Sequence, residues 1–143
     1  MQSDPFQLSR FVDAQAGEYR AVLSELRSGR KRGHWMWYIF PQLKGLGSSG
    51  TSSFYGITSL KEAEGYLNHP ILGARLRECT ASVDALAGRT VHEIFSTPDD
   101  LKFISSMTLF ATASKAPSVF HLALDKYNRG KPDQRTIVLL EQP

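Results

Sequence analysis

One stripe limits the fold more than any other feature. Leu72, Leu76, Cys79, Val83 and Leu86 recur at steps of four and three, the spacing that lines apolar side chains along one face of an α-helix. A similar period runs through Leu8, Phe11, Val12, Tyr19, Val22, Leu23 and Leu26. No stretch sustains the apolar–polar alternation of a half-buried strand. Helix punctuation agrees with the stripes. Asp4-Pro5 precedes the first, Ser59-x-x-Glu62 and Thr90-x-x-Glu93 spell capping boxes, and Gly29 and Gly88 follow apparent ends. The expectation is an all-α fold: a compact single domain over 1–143, core about 5–140, with six or seven helices. They should run from Asp4-Pro5 through Arg27, from Ser59 to about Leu67, and from Pro70 to Gly88. A single turn ends at Phe95, and further helices run from Pro98 to about Ser114, from Pro117 to before Gly130, and within 132–140.

A chain of 143 residues has the size of one domain and buries about 70% of its unfolded surface. No apolar run approaches the roughly 20 residues that cross a bilayer. The opening MQSDPFQLSRF lacks the basic start and apolar stretch of a secretion signal, so a cytoplasmic protein with no membrane partner is expected. Cys79 is the only cysteine, which excludes an intrachain disulfide and a multi-cysteine metal site. Its place on the stripe fits a small buried thiol. No two histidines stand at i, i+4, and His92-Glu93 alone makes no site, so no metal is expected.

The least ordinary stretch is Arg27 to Thr51. Arg27, Arg30, Lys31 and Arg32 lead into His34 and the rings Trp35, Trp37, Tyr38 and Phe40, and no acid occurs between Glu25 and Glu62. An irregular or short helical segment ending near Pro41 is expected, then a loop over 44–58 anchored by Phe54 and Tyr55. Cations beside ring faces can meet a phosphate and a stacked base. A block as apolar as Trp-Met-Trp-Tyr-Ile-Phe also packs as core, and the sequence leaves both readings open. Gly45-Leu46-Gly47-Ser48-Ser49-Gly50 spells G-x-G-x-x-G. It lacks the preceding strand, the helix opening within it and the later acid of a dinucleotide fold, so no cofactor is assigned. Its backbone N–H groups can still form a concave anion site.

The helix from Pro98 reads DDLKFISSMTLFATAS. Lys102 and Ser106 lie one turn apart on one face; Ser105, Thr108 and Thr112 line another. Small hydroxyl residues can bond back to their own i−4 carbonyls and admit a neighbouring helix. They can also floor a ligand cleft, with Asp99 or Asp100 and Lys102 at its rim. The functional expectation is a small anionic ligand, nucleotide- or ADP-ribose-like, held between this helix and the basic-aromatic segment. Its contacts would be Arg32, Trp35, Trp37, Gln42, Lys44, Gly45, Gly47, Ser105 and Ser106. Whether the ligand is turned over stays open; if it is, His34, Asp100 and Lys102 are the candidates for proton transfer and charge stabilisation. The alternative is a protein–protein interaction module, or a homo-oligomer, that uses the aromatic segment without catalysis. A net charge of +3 is small for a nucleic-acid-coating protein, and oligomeric state is not legible.

The stretches HWMWYIFPQLKGLG, SLKEAEGYLNHPILGARLRECT and PDDLKFISSMTLF, with the opening LSRFVDAQ, resemble a family of small bacterial proteins, domain-of-unknown-function family 1810. The resemblance runs from about Leu8 to Leu140 and implies a compact, mainly helical protein. It implies no activity that transfers residue by residue. A calpastatin-like label attached to some members implies a protease inhibitor of disordered repeats, which this repeat-free chain contradicts. Ser48 to Phe54 departs from the family pattern in being richer in glycine and serine.

Overall fold

A computed structural model describes residues 3–142. Ten helices occur in them: α1 (Ser9–Gln15), α2 (Tyr19–Ser28), α3 (Met36–Ile39), α4 (Gly50–Tyr55), α5 (Leu60–Asn68), α6 (Leu72–Asp84), α7 (Val91–Phe95), α8 (Asp99–Thr112), α9 (Val119–Asn128) and α10 (Gln134–Glu141). The described residues contain no named strand; Leu43 and Ile57 form one isolated parallel bridge.

The all-α expectation holds, and the helix count is corrected from six or seven to ten. The long first helix is two, because Gly17 takes a φ of 80°, a left-handed conformation that suits glycine and stops a right-handed helix. Gln15 at that break is buried and donates to the Tyr38 carbonyl at 2.8 Å. Asp4 does cap the chain's entry, accepting the Leu8 and Ser9 N–H groups at 2.7 and 3.1 Å, although the helix starts only at Ser9. The loop expected over 44–58 contains α4, opened by Ser49, whose hydroxyl accepts the Ser52 N–H. The sequence gives this helix no period because none of its residues is buried. α6 ends at Asp84, short of Gly88, which turns the chain beyond it at φ 70°.

Thr90 and Glu93 make the full reciprocal capping box. Ser59 and Glu62 make only half of one. Ser59 accepts the Glu62 N–H, but the Glu62 carboxylate turns away to Thr58 and to Arg10 at 2.8 Å. Arg10 also donates to the carbonyls of Phe6, Gln7, Phe54 and Gly56. This buried pair therefore ties the N-terminal turn, the end of α4 and the start of α5 together, with its donors and acceptors matched.

α8 is the central helix, in contact with α5, α7, α9 and α10. Its residues are buried without interruption from Phe103 to Ala111, the pattern of a helix covered on all sides. Phe103 sits edge-on to Phe40 at 5.1 Å between ring centres and stacks on Phe95 at 4.7 Å. Those rings join the aromatic segment and α7 to α8. Cys79 is buried, and that burial pushes its thiol up to about 12, which makes it a packing residue.

Candidate functional site where the basic-aromatic segment meets α8

The basic turn between α2 and α3 is held from within. The Glu25 carboxylate at the end of α2 accepts the N–H groups of Arg32 at 2.7 Å and Gly33 at 2.9 Å, and the Trp35 indole N–H at 3.0 Å. Burial alone would raise the Glu25 pKa. The Gly33, Arg32 and Trp35 donors and the nearby Lys31 outweigh it, and the group titrates below its ordinary value. The Lys31 N–H donates to the Ile94 carbonyl at 2.7 Å, which anchors the turn to α7.

The Lys31 side chain then crosses to α8. Its ammonium pairs with Asp99 Oδ2 at 2.8 Å, donates to the Gly33 carbonyl and lies over the Trp35 ring at 5.1 Å. The second Asp99 oxygen faces Lys102 Nζ at 3.5 Å, and that ammonium lies 4.9 Å from the centre of the Trp37 ring. One carboxylate thus stands between two ammonium groups, each above an indole. Lys31 is surrounded, with its side chain 8% exposed; Lys102 is 24% exposed and has donors left over.

The residues picked from the sequence divide. Trp37 and Lys102 meet directly. Trp35 is buried and belongs to the core, in contact with Lys31 and Phe40. Arg32 and His34 are exposed, and neither side chain is hydrogen-bonded to the described residues. Asp100 accepts its own helix's Leu101 N–H, and its other oxygen lies 3.2 Å from both His92 Nδ1 and Thr97 Oγ1. The carboxylate beside Lys102 is therefore Asp99, and no hydrogen bond links His34, Asp100 and Lys102. Lys44 lines a hollow of about 270 Å³ beside Arg10 and Phe54. Gly45 takes a left-handed φ of 103°, and a Cβ there would lie 3.8 Å from Leu139 of α10. A Cβ on Gly47 would come within 2.5 Å of the Ser52 hydroxyl, so the G-x-G spelling is explained by a tight entry into α4.

The hydroxyl row of α8 also divides. Ser105, Thr108 and Thr112 donate to their i−4 carbonyls at 3.0, 2.8 and 2.7 Å. Ser105 and Thr108 also meet Asp133, the N-cap of α10: the Ser105 hydroxyl lies 3.3 Å from its carboxylate, and Thr108 accepts its N–H at 2.8 Å. Their role is to seat a helix. Ser106 is different. It is fully buried, and its Oγ has no hydrogen-bond partner among the described residues. Trp37 Nε1 and Gln42 Oε1 are likewise buried and unpartnered. Sequence reasoning passed over Glu25, named Lys31 only within the basic cluster, and left the rim carboxylate open between Asp99 and Asp100. The available signals were that Glu25 is the last acid before the acid-free stretch, and that Asp99 stands three residues before Lys102 on one helix.

A separate hollow of about 580 Å³ lies between α5, α6 and the turn into α9, lined by Arg77, Lys115, Ser118 and Phe120 among others. None of the residues selected above lines it. No group of three or more His, Cys, Asp or Glu among the described residues is placed to hold a metal. None of their helices is long and apolar enough to cross a membrane.

These features define a class: a helical protein whose central helix carries an ionic and indole-lined seam at its N-terminal half. The chain belongs to the family described as Protein of unknown function (DUF1810), matched over residues 5–140. It is similar to the conserved hypothetical protein Rv1873 from Mycobacterium tuberculosis, known from a crystal structure. The two are 58% identical with a TM-score of 0.96, over 98% of this chain and 100% of that one. Comparison with curated proteins finds no match.

Proposed function

We propose that this protein binds a small anionic ligand, of nucleotide or ADP-ribose type, at the seam between the basic-aromatic segment and α8. The observation that carries this reading is the Lys31–Asp99–Lys102 arrangement over two indoles. Lys31 is saturated by Asp99, the Gly33 carbonyl and the Trp35 ring and also lies near Glu25, whereas Lys102 has only Asp99 at 3.5 Å and the Trp37 ring, so Lys102 is the cation with capacity for an anion. The N-terminal half of α8 adds the favourable end of a helix dipole. Arg32, next to Lys31 in the chain and exposed, adds a second cation on the basic turn. The reading stops at binding, because His34, Asp100 and Lys102 form no connected acid–base set.

Docking of a protein partner through the aromatic segment is less well supported. Trp35, Met36, Ile39 and Phe40 are buried, which leaves that segment little surface to offer.

A thermal-shift series with AMP, ADP-ribose and ribose 5-phosphate at millimolar concentration tests the reading. Binding raises the midpoint by mass action. The rise should vanish in Lys102→Ala and shrink in Arg32→Ala. A flat response to all three compounds in the wild-type protein would sink the proposal.

A further inference from the structure

The hollow between α5, α6 and the turn into α9, about 580 Å³ in volume, has the size of a small-molecule site. Its lining carries charges of both signs: Glu64 on α5, Arg77 on α6 and Lys115 in the turn before α9. No ion pair among the described residues involves any of the three. Opposite charges that line one hollow without meeting are complementary to a molecule that carries both signs itself. Leu67 and Phe120, both buried, and Val119 give the same hollow an apolar wall.

The cations are held in place. A Cβ on Gly73 would come within 2.1 Å of the Leu67 carbonyl oxygen, so glycine is what lets the first turn of α6 close on the end of α5. Arg77, one turn further along α6, donates to that same carbonyl at 3.2 Å. One N–H of its guanidinium is used there, and the rest of its donor fork is left for another group. Ser118 accepts the Phe120 and His121 N–H groups at 3.2 and 3.3 Å, and its hydroxyl lies 2.6 Å from His121 Nδ1. Those bonds pin the turn that carries Lys115. They also cap α9 from within, so what the hollow offers a ligand is its charges and its apolar wall.

We infer that this hollow binds a zwitterion with an apolar side chain, either a free α-amino acid or a short peptide. Its carboxylate is received by Arg77 and Lys115, since a guanidinium fork matches a carboxylate in a bidentate pair. Its ammonium faces Glu64, and its side chain lies against Leu67, Val119 and Phe120. A phosphate ester would set its dianion against the Glu64 carboxylate, and a simple amine would face two cations and one anion. The hollow shares no lining residue with the seam, so this inference stands independently of the anionic ligand proposed there.

Calorimetric titration of the full chain with phenylalanine, an alanine–phenylalanine dipeptide, hydrocinnamate and phenethylamine tests the inference. Hydrocinnamate is phenylalanine without its ammonium, and phenethylamine is phenylalanine without its carboxylate. At least one of the two zwitterions should bind at millimolar concentration, and the tighter of them identifies the source as free amino acid or peptide. Each single-charge analogue should bind several-fold more weakly than that zwitterion. Glu64→Gln should weaken the zwitterion several-fold and leave hydrocinnamate unchanged or tighter. Lys115→Ala should weaken the zwitterion and hydrocinnamate alike and spare phenethylamine. Both substitutions fall on exposed side chains, and circular dichroism confirms that each variant is folded. Lys102→Ala, at the seam, should change none of these affinities. Hydrocinnamate binding as tightly as the zwitterion, a loss of zwitterion binding in Lys102→Ala, full zwitterion affinity in both Glu64→Gln and Lys115→Ala, or no binding of either zwitterion overturns the assignment.

Discussion

Two ionic clusters in this molecule do opposite things. In the Arg10–Glu62 cluster, the guanidinium reaches four carbonyls and one carboxylate, and the carboxylate is met by Arg10 and Thr58. In the Lys31–Asp99–Lys102 cluster, two ammonium groups share one carboxylate, and the indole N–H of Trp37, whose ring lies under Lys102, has no partner among the described residues. The first cluster matches every donor and acceptor, and the second leaves donors unmatched. A saturated network rigidifies its surroundings, whereas an unsaturated one costs stability.

The sharpest way to break this comparison is Arg10→Ala, which leaves a carboxylate 2% exposed without its partner. Equilibrium denaturation should show a loss of about 3–5 kcal/mol. The matching change at the seam, Lys102→Ala, should cost about 1 kcal/mol or less, because that cation is partly solvated. Equal losses at the two places would erase the distinction.

Glu25 offers the next largest effect, since it holds three donors at the basic turn. Glu25→Ala should lower stability by about 1–2 kcal/mol at neutral pH. Its depressed pKa gives the sign: the contribution is complete above the ordinary carboxylate value of 4.5 and fades as pH falls through the lower folded-state value. The wild type and the variant should therefore converge in stability toward acid pH.

Asp84 tests the reverse sign. Burial raises its carboxyl to about 6 despite the nearby Lys126. Between the ordinary value of 3.8 and about 6, the folded state binds more protons, so this group's contribution falls as pH rises through that window. Asp84→Asn should stabilise the protein by about 1 kcal/mol at pH 7, discounted for solvent screening, with the gain gone at about pH 3.5.

The smallest effect sharpens the contrast within α8. Ser106→Ala should leave stability within about 0.5 kcal/mol of wild type or raise it, because it deletes an unmatched hydroxyl. Thr108→Val, which removes the acceptor for the Asp133 N–H, should cost about 1 kcal/mol or more. Thermal denaturation monitored by circular dichroism reads both.

The helical class was legible because the α6 stripe and the Thr90–Glu93 box are local signals that packing did not override. The break at Gly17 was harder to see, since hydrophobic spacing continues across it and a φ of 80° leaves no mark on periodicity. α4 escaped notice for a different reason: an exposed helix has no stripe to show. In the candidate site, the pairing of the basic turn with α8 followed from charge and aromatic content, but the choice of carboxylate did not. Asp99 and Asp100 are neighbours in sequence, and only the rotation of about 100° per residue along a helix sends one to Lys102 and the other to His92. Glu62 shows the same limit, because its capping-box spelling is answered by Arg10, 52 positions away.

The clasp of Asp133 on Ser105 and Thr108 has a consequence for biogenesis. A growing polypeptide on the ribosome presents α8 with that flank bare until residues 25 to 28 places downstream have cleared the exit tunnel. Maturation of the central helix is therefore tied to the synthesis of α10, and nascent chains stalled before α10 should show faster amide exchange along it than chains that include α10.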